Sequence, residues 1–95
     1  MELTENDIAK IQQILLDAGE TVRKRSIELN GQILSFRLLG TDADGSAAIN
    51  ALWNAGLNGY SDGDLDTVEN KTVWSEGAES ALVTMTIAEG GLWVG

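Results

Sequence analysis

The chain predicts an α+β fold: two helices packed on a small antiparallel sheet, in the order α-β-β-α-β-β, with a short C-terminal strand as an optional last element. Three observations predict it. Asn30-Gly31 sits between two apolar-rich runs in TVRKRSIELNGQILSFRLL, residues 21–39, the strongest short-range signal for a β-hairpin. Apolar residues recur at helical spacing over residues 4–18. Residues 80–88 alternate with the period of a strand. A chain of 95 residues supports one modest core, so a single domain spanning 1–95 is expected.

The first helix is expected over residues 4–18. Thr4 is its candidate N-cap, and Glu5 and Asp7 stand in the first turn, where the helix dipole favours anions. Ile8, Ile11, Leu15 and Ala18 form one stripe, widened by Ile14, and Gly19 follows as a left-handed cap. The stripe packs most simply on the apolar face of the hairpin. The alternative is a helix whose apolar face takes a partner.

A two-residue turn at Asn30-Gly31 places Leu29 opposite Gln32, Ile27 opposite Leu34, Arg25 opposite Phe36 and Arg23 opposite Leu38. One face is then apolar near the turn, through Ile27, Leu29, Leu34 and Phe36. The other face sets Lys24 against Arg37, a like-charge pair that requires solvent or an acidic neighbour. Arg23 and Arg25 stand at the rim of the apolar face, stems packed and guanidinium groups outside. The basic run blunts an edge strand against aggregation. Its rival role is a phosphate contact, although nucleic-acid binders usually carry a broader basic field.

The second helix is expected from Ser46 to Ala55, capped by Thr41, Asp42 or Asp44 and closed by Gly56. Ile49, Leu52, Trp53 and Gly56 share a face, and Ala47, Ala48, Ala51 and Ala55 keep the rest small enough for close approach to a sheet. Trp53 is expected in the core. Residues 57–64 read as a loop, and from its last turn onward Asp62, Asp64 and Asp66 alternate. Residues 65–75 fit one strand, or two short strands broken at Glu69-Asn70-Lys71. In Ser80–Ala88 both faces are fairly apolar, as in a central strand: Ala81, Val83, Met85 and Ile87 alternate with Leu82, Thr84 and Thr86. Glu89-Gly90-Gly91 turns the chain into Leu92-Trp93-Val94, the short edge strand.

The absence of histidine and cysteine removes serine–histidine and cysteine–histidine nucleophiles, histidine bases and the usual zinc ligands. An enzyme is not expected, and neither is a cofactor. Asp42-Ala43-Asp44-Gly45 and Asp62-Gly63-Asp64-Leu65-Asp66 look like fragments of calcium loops. An EF-hand requires Gly at position 6 and Glu at position 12. Counting from Asp42 those positions hold Ala47 and Trp53, and from Asp62 they hold Thr67 and Val73. The glycines at 56–59 and 89–91 lack the phosphate-loop pattern. No apolar run approaches the roughly 20 residues of a membrane span, and the acidic, polar start MELTENDIAK is unlike a secretory signal. The cytoplasm is the expected compartment.

What remains is charge. The chain carries a net charge of −9, unevenly placed. Residues 1–37 hold six acids and five bases, a net of −1, whereas residues 38–95 hold nine acids and Lys71 alone, a net of −8. Such asymmetry governs partner choice and association rate. Free nucleic acid and anionic lipid are repelled by the second half, so neither direct nucleic-acid binding nor membrane binding is expected. Acids at phosphate-like spacing mimic nucleic acid and suit a basic groove. Three tryptophans stand among five aromatic residues, and tryptophan is enriched at interface hot spots. Trp93 is the one expected to be shared with a partner.

The reading these features favour is a non-enzymatic protein-binding module: an acidic inhibitor that docks on a basic protein partner such as a nucleic-acid-processing enzyme. Its candidate partner-binding residues are Asp62, Asp64, Asp66 and Glu69, then Glu76 and Glu79, together with Trp93. One alternative is a structural subunit that forms a homo-oligomer through its sheet edges, with Trp93 and Val94 at the seam. The other is a weak calcium-binding module at the Asp62–Asp66 cluster.

Overall fold

The expected α+β architecture is present. A computed structural model describes residues 2–40, 45–59, 67–73 and 79–94, with the backbone alone over 67–73 and 79–81. The elements run α1 (Glu5–Asp17), β1 (Thr21–Val22), a 3-10 turn (Lys24–Ser26), β2 (Glu28–Asn30), β3 (Ile33–Leu39), α2 (Gly45–Asn54), β4 (Thr67–Val73) and β5 (Glu79–Thr86). The sheet is antiparallel throughout and ordered β1-β3-β5-β4, with β2 continuing the row of β1 along β3.

Both helices end where local chemistry directs. Thr4 caps α1 through a reciprocal pair: its hydroxyl accepts the Asp7 N–H at 3.1 Å, and the Asp7 carboxylate accepts the Thr4 N–H at 3.0 Å. This arrangement satisfies two of the donors that the start of a helix leaves open. At the C-terminus, Gly19 adopts φ +85° while the N–H groups of Gly19 and Glu20 reach back to Leu16 and Leu15. The second helix closes in the same way, with Gly56 at φ +102° and the N–H groups of Gly56 and Leu57 bonded to Trp53 and Leu52. A residue with a Cβ is strained at such positive φ, which is why glycine stands at both positions.

The core lies between the helices and one face of the sheet. Ile11 and Leu15 of α1 and Ala48, Ile49 and Leu52 of α2 meet Leu34, Phe36 and Leu38 of β3 and Val83 and Met85 of β5. The predicted helix stripe is buried at Ile11 and Leu15, half-buried at Ile8 and Ile14, and exposed at Ala18. On the opposite face of the sheet, Ser35, Arg37, Leu39, Leu82, Thr84 and Thr86 are half-buried and Ile33 is exposed. As expected for a strand apolar on both faces, β5 is central, between β3 and β4.

The hairpin departs from its expected register. Leu29 faces Leu34 and Asn30 faces Ile33, so the turn is Gly31-Gln32 rather than Asn30-Gly31. The slip is two residues, so the side chains of β2 keep their faces, whereas Val22, not Arg23, faces Leu38 on the buried side. It exchanges a Leu–Gln pair for a Leu–Leu pair. Gln32 is also engaged on its far side, where its carbonyl accepts the Ile87 N–H at 2.7 Å and its side-chain amide donates to the Ile87 carbonyl at 3.2 Å.

The first arm is not one strand. Between Val22, which faces Leu38, and Glu28, which faces Ser35, the edge row holds three residues more than β3 requires. The 3-10 turn absorbs them. The Ser26 hydroxyl donates to the Arg23 carbonyl at 2.6 Å and accepts the Arg37 N–H at 2.8 Å, taking the place of a ladder carbonyl. Lys24 thereby leaves the strand, and the like-charge pairing with Arg37 is not formed. Alternation alone carries no sign of this insertion, because a side-chain hydroxyl supplies the missing acceptor.

Residues 67–73 form one strand, interrupted by a register shift between Glu69 and Thr72. The expected cap residues Thr41, Asp42 and Asp44 lie outside the described residues. The last residues do not add a strand to the sheet edge. Trp93 instead forms an isolated bridge with Leu57, and Gly59 forms another with Ile87. The Asn58 N–H bonds to the Leu92 carbonyl and the Val94 N–H to the Gly56 carbonyl, both at 2.7 Å. The start of the predicted 57–64 loop is therefore paired backbone.

Candidate interaction surface

The sheet order separates the charged stretches of the chain. One edge row is β1 and β2, with Arg23, Lys24 and Arg25 between them, all exposed. The opposite edge is β4, which carries Glu69 opposite Leu82, while Glu79 opens β5 opposite Val73. Three strand spacings separate the two edges, roughly 14 Å. Asp62, Asp64, Asp66 and Glu76 lie outside the described residues; in sequence, the three aspartates lead directly into β4 and Glu76 lies between β4 and β5. The structure thus brings Glu69 and Glu79 onto one hairpin at the edge farthest from the basic turn.

Trp93 is half-buried and held from three sides. Its indole N–H donates to Asp7 Oδ1 at 3.0 Å, the Lys10 ammonium lies 4.0 Å from its ring centroid, and its backbone bridges Leu57. A cation over an indole face is attracted by the ring quadrupole. Asp7 and Lys10 are one helical turn apart on α1, so a single helix face supplies both partners. The Asp7 carboxyl is held below its ordinary pKa. The Thr4 N–H contributes most, the Trp93 indole, the Thr4 hydroxyl and Lys10 add to it, and burial opposes them.

Behind Trp93, Asn58 organises the turn that delivers it. Its side-chain amide donates to the carbonyls of Ala88 and Glu89, each at 3.3 Å, and of Gly91 at 2.9 Å. Gly90 and Gly91 both take φ +110°, a conformation open to them for want of a Cβ. Nearby, Trp53 packs half-buried against the core, with its Nε1 buried and without a hydrogen-bond partner. A Cβ on Gly59 would stand 3.0 Å from that nitrogen, so only glycine fits the chain past it without displacement.

Sequence reading singled out Trp93 but neither Asp7, Lys10 nor Asn58 as its supports. The sequence places Asp7 in the first turn of α1 after its cap Thr4; a partner 86 residues away for the same carboxylate leaves no local signal. Among the described residues, no group of three or more carboxylates, histidines or cysteines could hold a metal ion, and the Asp62–Asp66 cluster is not among them. No helix among the described residues is long and apolar enough to cross a membrane. No protein-family model, curated protein or solved structure matches the chain.

Proposed function

We propose that the chain is a non-enzymatic binding module that docks its acidic β4–β5 side onto a basic protein partner and blocks it. A nucleic-acid-processing enzyme is the partner class that such a surface suits. The observation that supports this reading is the segregation of charge: β4 and β5 belong to the half of the chain with a net charge of −8, and the basic turn lies at the other edge of the sheet. An acidic surface steers a basic groove from a distance and speeds encounter. Asp62, Asp64, Asp66 and Glu69 are the residues assigned to the contact, with Glu76 and Glu79 second; Trp93, already held by Asp7 and Lys10 of α1, is left out of it.

The test is capture from nuclease-treated source lysate at low and moderate salt, followed by assay of the captured enzyme. The expected result is salt-sensitive recovery of one basic nucleic-acid enzyme, inhibition of its activity, and loss of both on joint reversal of Asp62, Asp64 and Asp66 to lysine. Undiminished inhibition by that variant, with circular dichroism unchanged, rejects the acidic-edge reading.

A further inference from the structure

The basic turn and the groove beside it have no part in an acidic-edge contact. The groove lies between the start of α1 and the 3-10 turn, is open to solvent with a volume of about 500 Å³, and is lined by Glu5, Ile8, Lys24, Arg25 and Ile27. Ile27 is buried and Ile8 half-buried, so its floor is apolar, while Lys24 and Arg25 are exposed and rim it. Glu5 is the one acid in the lining.

The turn is a built feature. Beyond the two Ser26 hydroxyl bonds, the Ser26 N–H bonds to the Arg23 carbonyl at 2.9 Å, the Ile27 N–H to the Lys24 carbonyl at 3.2 Å, and the Arg23 N–H to the Arg37 carbonyl at 2.9 Å. Extra residues inserted at a sheet edge re-aim side chains. Here they take two cations out of the strand and set them beside an apolar notch.

An apolar notch rimmed by cations suits a large apolar side chain flanked by carboxylates. Asp64-Leu65-Asp66 is the one place in the chain where such a residue stands directly between two acids. In its own chain this segment is joined to β4, at the other edge of the sheet. Leu65 stands two residues before Thr67, a reach of about 7 Å at full extension. The β1–β2 row, on whose side the groove lies, is roughly 14 Å from β4.

We propose that the groove binds Asp64-Leu65-Asp66 of a second copy, with Leu65 on Ile8 and Ile27 and the two carboxylates at Lys24 and Arg25. The contact joins different surfaces of the two molecules, so it propagates head to tail. Two molecules of net charge −9 repel at long range, and that repulsion is screened before close contacts are. The Debye length falls from about 30 Å at 0.01 M salt to about 8 Å at 0.15 M. Self-association therefore strengthens from low to moderate salt and weakens again at about 1 M, where the Debye length is about 3 Å. A basic partner on the acidic edge follows a different course, weakening at every step.

Sedimentation velocity over a concentration series at these three salts is the experiment. The expected result is concentration-dependent association, strongest at the middle salt and weakened about tenfold or more by K24E/R25E. D64N/D66N alone is weakened in the same way. An equimolar mixture of these two variants restores one intact contact and gives a 1:1 dimer that cannot extend. A monomeric wild type at all three salts, association that K24E/R25E leaves unchanged, or a mixture that stays monomeric while both variants keep the wild-type circular dichroism overturns the proposal. K24E/R25E leaves the acidic edge intact, so it retains a basic partner even as self-association is lost, and the two readings fail separately.

Discussion

Trp93 and Asp7 tie the two ends of the chain together through a single carboxylate. Oδ1 accepts the Trp93 indole N–H at 3.0 Å, and Oδ2 accepts the Thr4 N–H at 3.0 Å. The group that caps α1 therefore also holds the C-terminal segment.

The pair is expected to be coupled. Asp7→Asn puts an amide donor at one of two sites that require an acceptor, and Trp93→Phe removes the donor while keeping a ring under Lys10. Each single change is expected to cost about 1–2 kcal/mol. In a double-mutant cycle by urea unfolding, a coupling of about 0.5–1.5 kcal/mol is expected between them. Strict additivity would show that the hydrogen bond contributes nothing to stability.

The same carboxylate sets a pH dependence. Its pKa in the fold lies below the ordinary 3.8, so its contribution is fully present above that value and is lost as pH falls through the lower, folded value. Acid titrations followed by tryptophan fluorescence are expected to show this step in the wild type and a reduced slope in Asp7→Asn. Identical slopes would mean that Asp7 titrates alike in the folded and unfolded chain.

Asn58 is expected to tolerate aspartate worse than alanine. Alanine leaves the carbonyls of Ala88, Glu89 and Gly91 without their shared donor, at about 1–3 kcal/mol. Aspartate sets a negative group against the same three oxygens, so it costs more, and its penalty shrinks at acid pH as the carboxyl becomes a donor. Thermal melts of both variants at neutral and acid pH check the order. Equal penalties at the two pH values would reject the account.

Ser26 supplies the acceptor that a side chain substitutes for backbone. Ser26→Ala leaves the half-buried Arg37 N–H without that acceptor and is expected to cost about 1–2 kcal/mol, with Ser26→Thr retaining part of the loss. Hydrogen exchange at the Arg37 amide is the sensitive readout, since protection there falls when the hydroxyl is removed. Unchanged protection would show that the turn is held by its backbone bonds alone.

Much of the fold was legible in the sequence because it is decided within a few residues. The cap at Thr4, the left-handed closures at Gly19 and Gly56, the stripe of Ile11 and Leu15 and the two-sided apolar pattern of residues 80–88 all follow from local spacing. The segregation of charge along the chain was equally plain, since it is a matter of counting. The hairpin register was legible only up to a slip of two residues. Alternation keeps the faces through such a slip, and the competition between Asn30-Gly31 and Gly31-Gln32 is resolved by Leu29 meeting Leu34 and by Ile87 bonding Gln32.

The 3-10 turn, the seat of Trp93 and the separation of the basic turn from Glu69 and Glu79 belong to the tertiary structure. Each depends on a partner distant in the chain: Arg37 for Ser26, Asp7 for Trp93, and for the edges the passage of β3 and β5 between β1 and β4. Local propensity reports what a residue does with its neighbours in sequence. The choice among distant acceptors, by contrast, is made only when the core has brought them within about 3 Å, the reach of a hydrogen bond.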